Sequence, residues 1–110
     1  MQVHMTDYGI VFMLAPNREE AEKIAESLVS QKLAACVNLL PGIRSIYWWK
    51  ENVCREDEIM MVAKIRKQDF DSLEKAVREL HSYEVPEIIL LSIDAGAAPF
   101  LDWIGCSVCR

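Results

Sequence analysis

The sequence predicts an α+β, ferredoxin-like fold: β-α-β-β-α-β with a C-terminal helix, on a four-stranded antiparallel sheet. Three observations predict it. Two amphipathic helical stripes, at about 18–31 and 69–80, each stand between β-prone apolar runs. The two runs between these helices are joined by a polar hairpin segment. Two βαβ halves joined in this way make the split arrangement, and right-handed crossovers put both helices on one face of the sheet.

The elements follow in order. Tyr8 to Ala15 is continuously apolar. That suits a central strand covered on both faces, or one with helices on one face and a partner on the other. Pro16 stops it. Asn17 as N-cap and Glu20 make a capping box, and Ala21, Ile24, Ala25, Leu28 and Val29 form the stripe of the first helix. Residues 34–50 read as one long strand kinked at Pro41-Gly42. Glu51 to Asp57 is polar and reads as the hairpin, and Glu58 to Ile65 as the next strand. Asp69 is placed to cap a second helix with Phe70, Leu73, Val77 and Leu80 on its apolar side. His81 to Pro86 is a loop and Glu87 to Asp94 the last strand. Phe100, Leu101 and Ile104 then recur at helical spacing, with Pro99 acceptable in a first turn. The whole chain, 1–110, reads as one domain with an ordered core at about 8–107.

Composition bounds the function. With 110 residues, 52% of them hydrophobic, the chain can bury roughly two-thirds of its unfolded surface without disulfides or metals. The net charge of −5 argues against a general nucleic-acid binder. No apolar run approaches the ~20 residues of a membrane helix, and Met1 to Tyr8 shows no basic-then-apolar pattern. A cytoplasmic protein is expected, with Cys36, Cys54, Cys106 and Cys109 as reduced thiols.

The residue types bear on several chemistries. The third strand, Glu-Ile-Met-Met-Val-Ala-Lys-Ile, lacks the aromatics that stack RNA bases in folds of this kind. Ala15-Pro16-Asn17 lacks the arginine and glycines of a phosphate loop. Only His4 and His81 could serve as imidazole bases. His81 lies near Glu84 and Glu87, but no nucleophile accompanies it, so no enzyme is expected. Cys36 is either a small buried hydrophobe or a soft ligand for Cu(I), and Met13, Met60, Met61 and Cys54 are either packing or further soft donors. Cys106-Ser-Val-Cys109 is either an incidental pair, a labile disulfide or a pair of soft-metal ligands. Trp48 and Trp49 are adjacent, so they face opposite sides of their strand. With strands apolar on both sides, the sheet face away from the helices needs a cover, most simply a dimer or trimer of the chain.

Residues 32–49, Lys-Leu-Ala-Ala-Cys-Val-Asn-Leu-Leu-Pro-Gly-Ile-Arg-Ser-Ile-Tyr-Trp-Trp, resemble the CutA divalent-cation-tolerance family. So do His81-Ser-Tyr-Glu-Val-Pro-Glu-Ile-Ile89 and Phe100-Leu-Asp-Trp-Ile104. The resemblance covers about residues 8–107. It implies a ferredoxin-like subunit in a tight homotrimer, related in architecture to PII signalling proteins, with the long hairpin reaching neighbouring subunits. It also implies a link to tolerance of divalent metals, copper especially, with copper binding in some members and no reaction.

Carried over by position, Cys36 falls on the cysteine of the family's Ala-Ala-Cys segment and becomes the candidate copper ligand, with Met13 and His81 as co-donors. Lys64, Trp49, Tyr83, Glu84 and Glu87 become candidate residues of an inter-subunit cleft for an ion or small ligand, and Pro86 completes the loop motif. The alternative function is a PII-like small-ligand sensor or interaction module. The sequence departs from the pattern at four places. Ser82 replaces a proline, which predicts a less rigid loop. Ile65 replaces a threonine, which removes a hydroxyl from any pocket. Asn52 is expected to supply the positive φ of the hairpin turn where a glycine is usual. Met13-Leu14 stand where copper binders may have a cysteine.

Overall fold

A computed structural model describes residues 5–110. His4 lies outside the described residues. The elements are β1 (Tyr8–Ala15), α1 (Arg18–Ser30), β2 (Cys36–Trp49), β3 (Asn52–Arg66), a 3-10 turn (Lys67–Asp69), α2 (Phe70–Leu80), β4 (Ile88–Ser92) and α3 (Ala98–Ser107). The four strands lie in the order β2-β3-β1-β4, with every neighbouring pair antiparallel. This is the ferredoxin-like arrangement that the alternation of stripes and runs predicts.

Strand alternation sorts the two faces of the sheet. Val11, Met13 and Ala15 of β1 and Met61, Ala63 and Ile65 of β3 are fully buried. They pack with Ala21, Ile24, Ala25 and Leu28 of α1 and Leu73 and Val77 of α2 into one core. Val29, expected on the α1 stripe, is 42% exposed. Phe100 is half exposed too, and α3 is seated instead by fully buried Ile104 and Val108. Gly105 lets α3 settle on β1, since a Cβ there would sit 2.5 Å from the Tyr8 hydroxyl.

The opposite face carries Ile10, Phe12, Leu14, Leu40, Met60, Val62, Ile89 and Leu91, as the cross-strand pairs place them. No helix covers it. Leu40, Ile89 and Leu91 are each more than 40% exposed. That row of apolar side chains is the physical reason to expect another surface against it.

Three local devices differ from the sequence expectation. Asn17 Oδ1 does accept the Glu20 N–H at 2.8 Å, so α1 starts where predicted. The Glu20 carboxylate does not return the bond. It accepts from the backbone N–H and the hydroxyl of Ser82, both at 3.1 Å. The loop that Ser82 was expected to loosen is therefore tied to α1. Asp69 makes no capping bond. Its buried carboxylate accepts from Arg66 Nε at 3.1 Å and Arg110 Nη2 at 2.7 Å, pinning the end of the chain to the start of α2. Ile65 is in the core, so the missing threonine hydroxyl is missing from the core and not from a pocket.

The hairpin is longer than predicted. The stretch 52–57, read as part of a polar hairpin, is strand: β3 begins at Asn52 and only Lys50 and Glu51 turn the chain. Polar residues pair well here because both faces of the ribbon's far end are open to solvent. Trp49 pairs with Asn52, and Lys50 and Glu51 take φ of 49° and 66°. Two positive φ values mark a tight two-residue turn normally filled by Asn-Gly. Asn52, expected in that conformation, instead donates its amide to the Lys50 carbonyl at 3.0 Å. The kink at Pro41-Gly42 is a register shift between Leu40 and Ile43, with Gly42 at φ 81°.

A side chain in the left-handed region costs roughly 1 kcal/mol that glycine avoids. Glu51→Gly is therefore expected to stabilise the fold by about 0.5–1 kcal/mol, read as a higher urea midpoint at unchanged slope. An unchanged or lower midpoint would show that the turn is not strained.

Candidate functional site

The register shift decides what lies together at one end of the sheet. Before it, even-numbered residues of β2 share a face with Lys64 and Met60; after it, Ile43, Ser45, Tyr47 and Trp49 take that face, opposite Glu58, Glu56, Cys54 and Asn52. The hairpin's aromatics thereby meet the loop 81–87. A cleft of about 770 Å³ opens there, lined among others by Leu14, Tyr47, Trp49, Glu58, Tyr83, Glu84 and Glu87.

Glu58 anchors the cleft. It is 5% exposed, and its Oε2 accepts from the Tyr83 hydroxyl at 2.8 Å. Burial, then the hydrogen bond to Glu58, pushes the Tyr83 phenol well above its usual range. Glu87, half-buried just before β4, is also pushed up, first by burial and then by the Glu58 charge. Tyr47 is shifted upward by desolvation and by Glu56. Negative charge thus has little compensation here, while Lys50 Nζ stands over the Trp49 ring at the cleft's rim, 5.7 Å from its centre. Carboxylate and phenol oxygens suit a hard or borderline cation. Among the described residues no group of three or more His, Cys, Asp or Glu side chains converges. A full coordination shell would need water or a second chain.

The sequence-predicted residues divide accordingly. Trp49, Tyr83, Glu84 and Glu87 come together in the cleft. Lys64 lies on the open face six residues along β3 from Glu58, roughly 20 Å away, and donates to Asn38 Oδ1. Cys36 is half-buried on that open face, directly opposite Lys64. Met13 is fully buried on the other face, against Met61 and Ile88. Cys36 and Met13 therefore cannot share an ion within one chain.

His81 has no lone pair to spare. Its ring is 1% exposed. Nε2 lies 2.7 Å from the Leu14 carbonyl, which can only accept, and Nδ1 lies 3.1 Å from the Tyr83 N–H, which can only donate. The Leu14 carbonyl places a proton on Nε2, and Nδ1, also 3.4 Å from Glu20 Oε2, is taken up by the loop and α1. The expected metal set of Cys36, Met13 and His81 is not assembled by the chain, and His81 instead ties the cleft loop to β1. Glu58 was not singled out in the sequence, where it reads only as the start of an apolar strand. Its role depends on register, and the Tyr83 motif alone gives no sign of which carboxylate it meets.

The raised value of Glu87 fixes a sign. Folding favours its protonated form, so that contribution is present below the carboxylate's unfolded value and is lost as pH rises through the raised folded one. Glu87→Gln is expected to raise the thermal midpoint at pH 7 and to lose that advantage near pH 3.5, where the native carboxyl is protonated. An advantage that is independent of pH would contradict this charge assignment.

The chain is similar to known proteins in both sequence and fold. The family described as CutA1 divalent ion tolerance protein matches residues 9–107. The chain is 41% identical over 95 residues to the divalent-cation tolerance protein CutA of Thermus thermophilus, covering 86% of this chain and 92% of that protein. It is equally similar to a chloroplastic CutA 1 of Oryza sativa, but spans about half the length of that and other plant and vertebrate relatives. The crystal structure of CutA from Xylella fastidiosa superposes with a TM-score of 0.92 at 31% identity, covering 94% of this chain and all of that one. A CutA structure from Archaeoglobus fulgidus gives 0.89 at 40% identity, over 92% and 98%. With nearly its whole described length matched in sequence and in fold, the chain belongs to the CutA1 divalent ion tolerance family.

Proposed function

We infer that the chain acts as a homotrimer that binds a divalent cation, copper among them, in the cleft of Glu58 and Glu87, and that its role is metal tolerance without catalysis. The observation that carries the reading is the pairing of these two carboxylates in a half-buried cleft, where Glu87 is pushed up by burial and by Glu58. A cation between them relieves both effects. Among the described residues no third His, Cys, Asp or Glu joins the pair, so in this reading water or a neighbouring chain completes the shell. The apolar open face supplies the reason for a neighbour to be there. Relatives named as divalent-cation tolerance proteins support the class of ligand. A cytoplasmic setting suits four cysteines that do not pair with one another.

A second reading has its own observation. Lys64 holds a cation on the apolar open face beside Asn38. In an assembly that face could present it to a small anionic ligand, as in a PII-like sensor. Ligand-dependent thermal shifts with a metabolite panel, abolished by Lys64→Ala, would favour this reading over the first.

Titration calorimetry with Cu(II) and Mn(II) separates the possibilities. Glu58→Gln and Glu87→Gln are each expected to weaken binding at least tenfold, and affinity is expected to fall as pH drops through the raised value of Glu87, because protons compete for the same oxygen. Unchanged affinity in both variants would overturn the cleft assignment. Cys36→Ser tests the soft-donor route: if Cu(I) binding depended on Cys36 on the open face, this variant would lose it.

A further inference from the structure

We propose that Cys106 and Cys109 form a second metal site, separate from the cleft, that binds a soft monovalent ion such as Cu(I) as a two-coordinate dithiolate. Both thiols are exposed and free. They bracket the end of α3, where the Cys109 N–H reaches the Cys106 carbonyl at 3.4 Å and Val108 closes the helix at φ −103° and ψ 10°. An i to i+3 turn of this kind brings the two residues it joins within about 7 Å, Cα to Cα.

The turn is held from both sides, which distinguishes it from a loose pair at a chain end. Val108, between the cysteines, is fully buried. Lys32 Nζ donates to the Cys109 carbonyl at 3.2 Å. Arg110 donates to the Lys32 carbonyl and to buried Asp69, each at 2.7 Å. Lys32 can serve because it occupies the left-handed position after α1, at φ 59°. There its N–H bonds to Val29 and that of Leu33 to Leu28, the pattern that ends a helix with a residue of positive φ. This helix end sets Lys32 where its ammonium meets the Cys109 carbonyl.

Both cysteines are free thiols, the state in which a pair can take up a metal ion. Residues three apart on a helical turn have Cβ atoms about 5–6 Å apart. Two thiolate–metal bonds of about 2.3 Å, the zinc value, span roughly 4.6 Å between sulfurs, which this spacing accommodates. Soft thiolates suit Cu(I) and zinc alike, and two donors fall short of the four that a structural zinc site takes, which leaves Cu(I) as the better match. Binding releases both thiol protons: Cu⁺ and two thiols give a dithiolate complex of net charge −1 and two protons. Lys32, held at the Cys109 carbonyl, adds a cation to this corner, and no oxidant is required.

The test is anaerobic titration of the reduced, full-length protein with Cu(I), at limiting copper and against a competing chelator, read by native mass and by sulfur-to-copper absorption. Wild type and Cys36→Ser are expected to hold one Cu(I) per chain at this site. Cys106→Ser and Cys109→Ser are each expected to weaken it more than about 100-fold, since even groups that only support a ligand are worth 10–100-fold. Glu58→Gln and Glu87→Gln should leave it unchanged, which separates this site from the cleft. Far-UV circular dichroism confirms that the exposed replacements fold, with Cys106→Ala as the second variant. Full Cu(I) uptake by the double variant Cys106→Ser/Cys109→Ser would overturn the proposal. So would a wild-type chain that takes none, or uptake lost in Cys36→Ser alone.

Discussion

A sheet with helices on one side and apolar residues on both is the constraint behind most of this molecule. The two right-handed crossovers leave β1, β3 and β4 covered only on the face of Val11, Met61 and Leu90. The other face shows Phe12, Val62, Ile89 and Leu91 in adjacent strands. Burying an exposed leucine or isoleucine is worth about 1.5–3 kcal/mol. Leaving several half-exposed on one plane is costly enough that self-association is the expected resolution. The same plane carries Cys36, Asn38 and Lys64 at one end and leads into the Glu58 cleft at the other. Whatever covers the sheet therefore also bounds the chemistry.

The shift at Pro41-Gly42 sets how the two ends differ. A one-residue change of parity moves every following side chain of β2 to the other face. Without it Tyr47 and Trp49 would face away from Glu58 and Tyr83, and the cleft would lose its aromatic wall. The loop 81–87 is then fixed from two directions. His81 bonds to the Leu14 carbonyl, and Glu20 bonds to Ser82. The family's motif histidine in this chain thus acts as a structural clamp, while oxygen atoms supply the site's charge.

Much of this was legible in the residues. Helical stripes at 21, 24, 25 and 28 and at 73 and 77, and the apolar run of β1, mark the elements that build the core, because their burial depends on local periodicity alone. The turn at Lys50-Glu51 was not legible, since neither residue belongs to the types that favour positive φ. Val29 and Phe100 were read as buried because they fit a stripe, yet each falls at the edge of its helix's contact. The site was half legible. Tyr83, Glu84 and Glu87 lie within seven residues of His81 and come together through one loop. Glu58 arrives from another strand, by a register that no short motif encodes. Cys36 and Met13 do not meet within one chain for the same reason: donor softness says which atoms suit copper, but only strand parity says which side of a sheet they occupy.

Copies of this chain are expected to cover the open face. Sedimentation equilibrium of the reduced protein, for wild type and for a Phe12→Glu/Ile89→Glu variant that charges that face, tests it most directly. A trimer for the wild type, with dissociation or loss of folding in the variant, is the expected result. A wild-type monomer at tens of micromolar would contradict it, and so would an intact trimer in the charged variant.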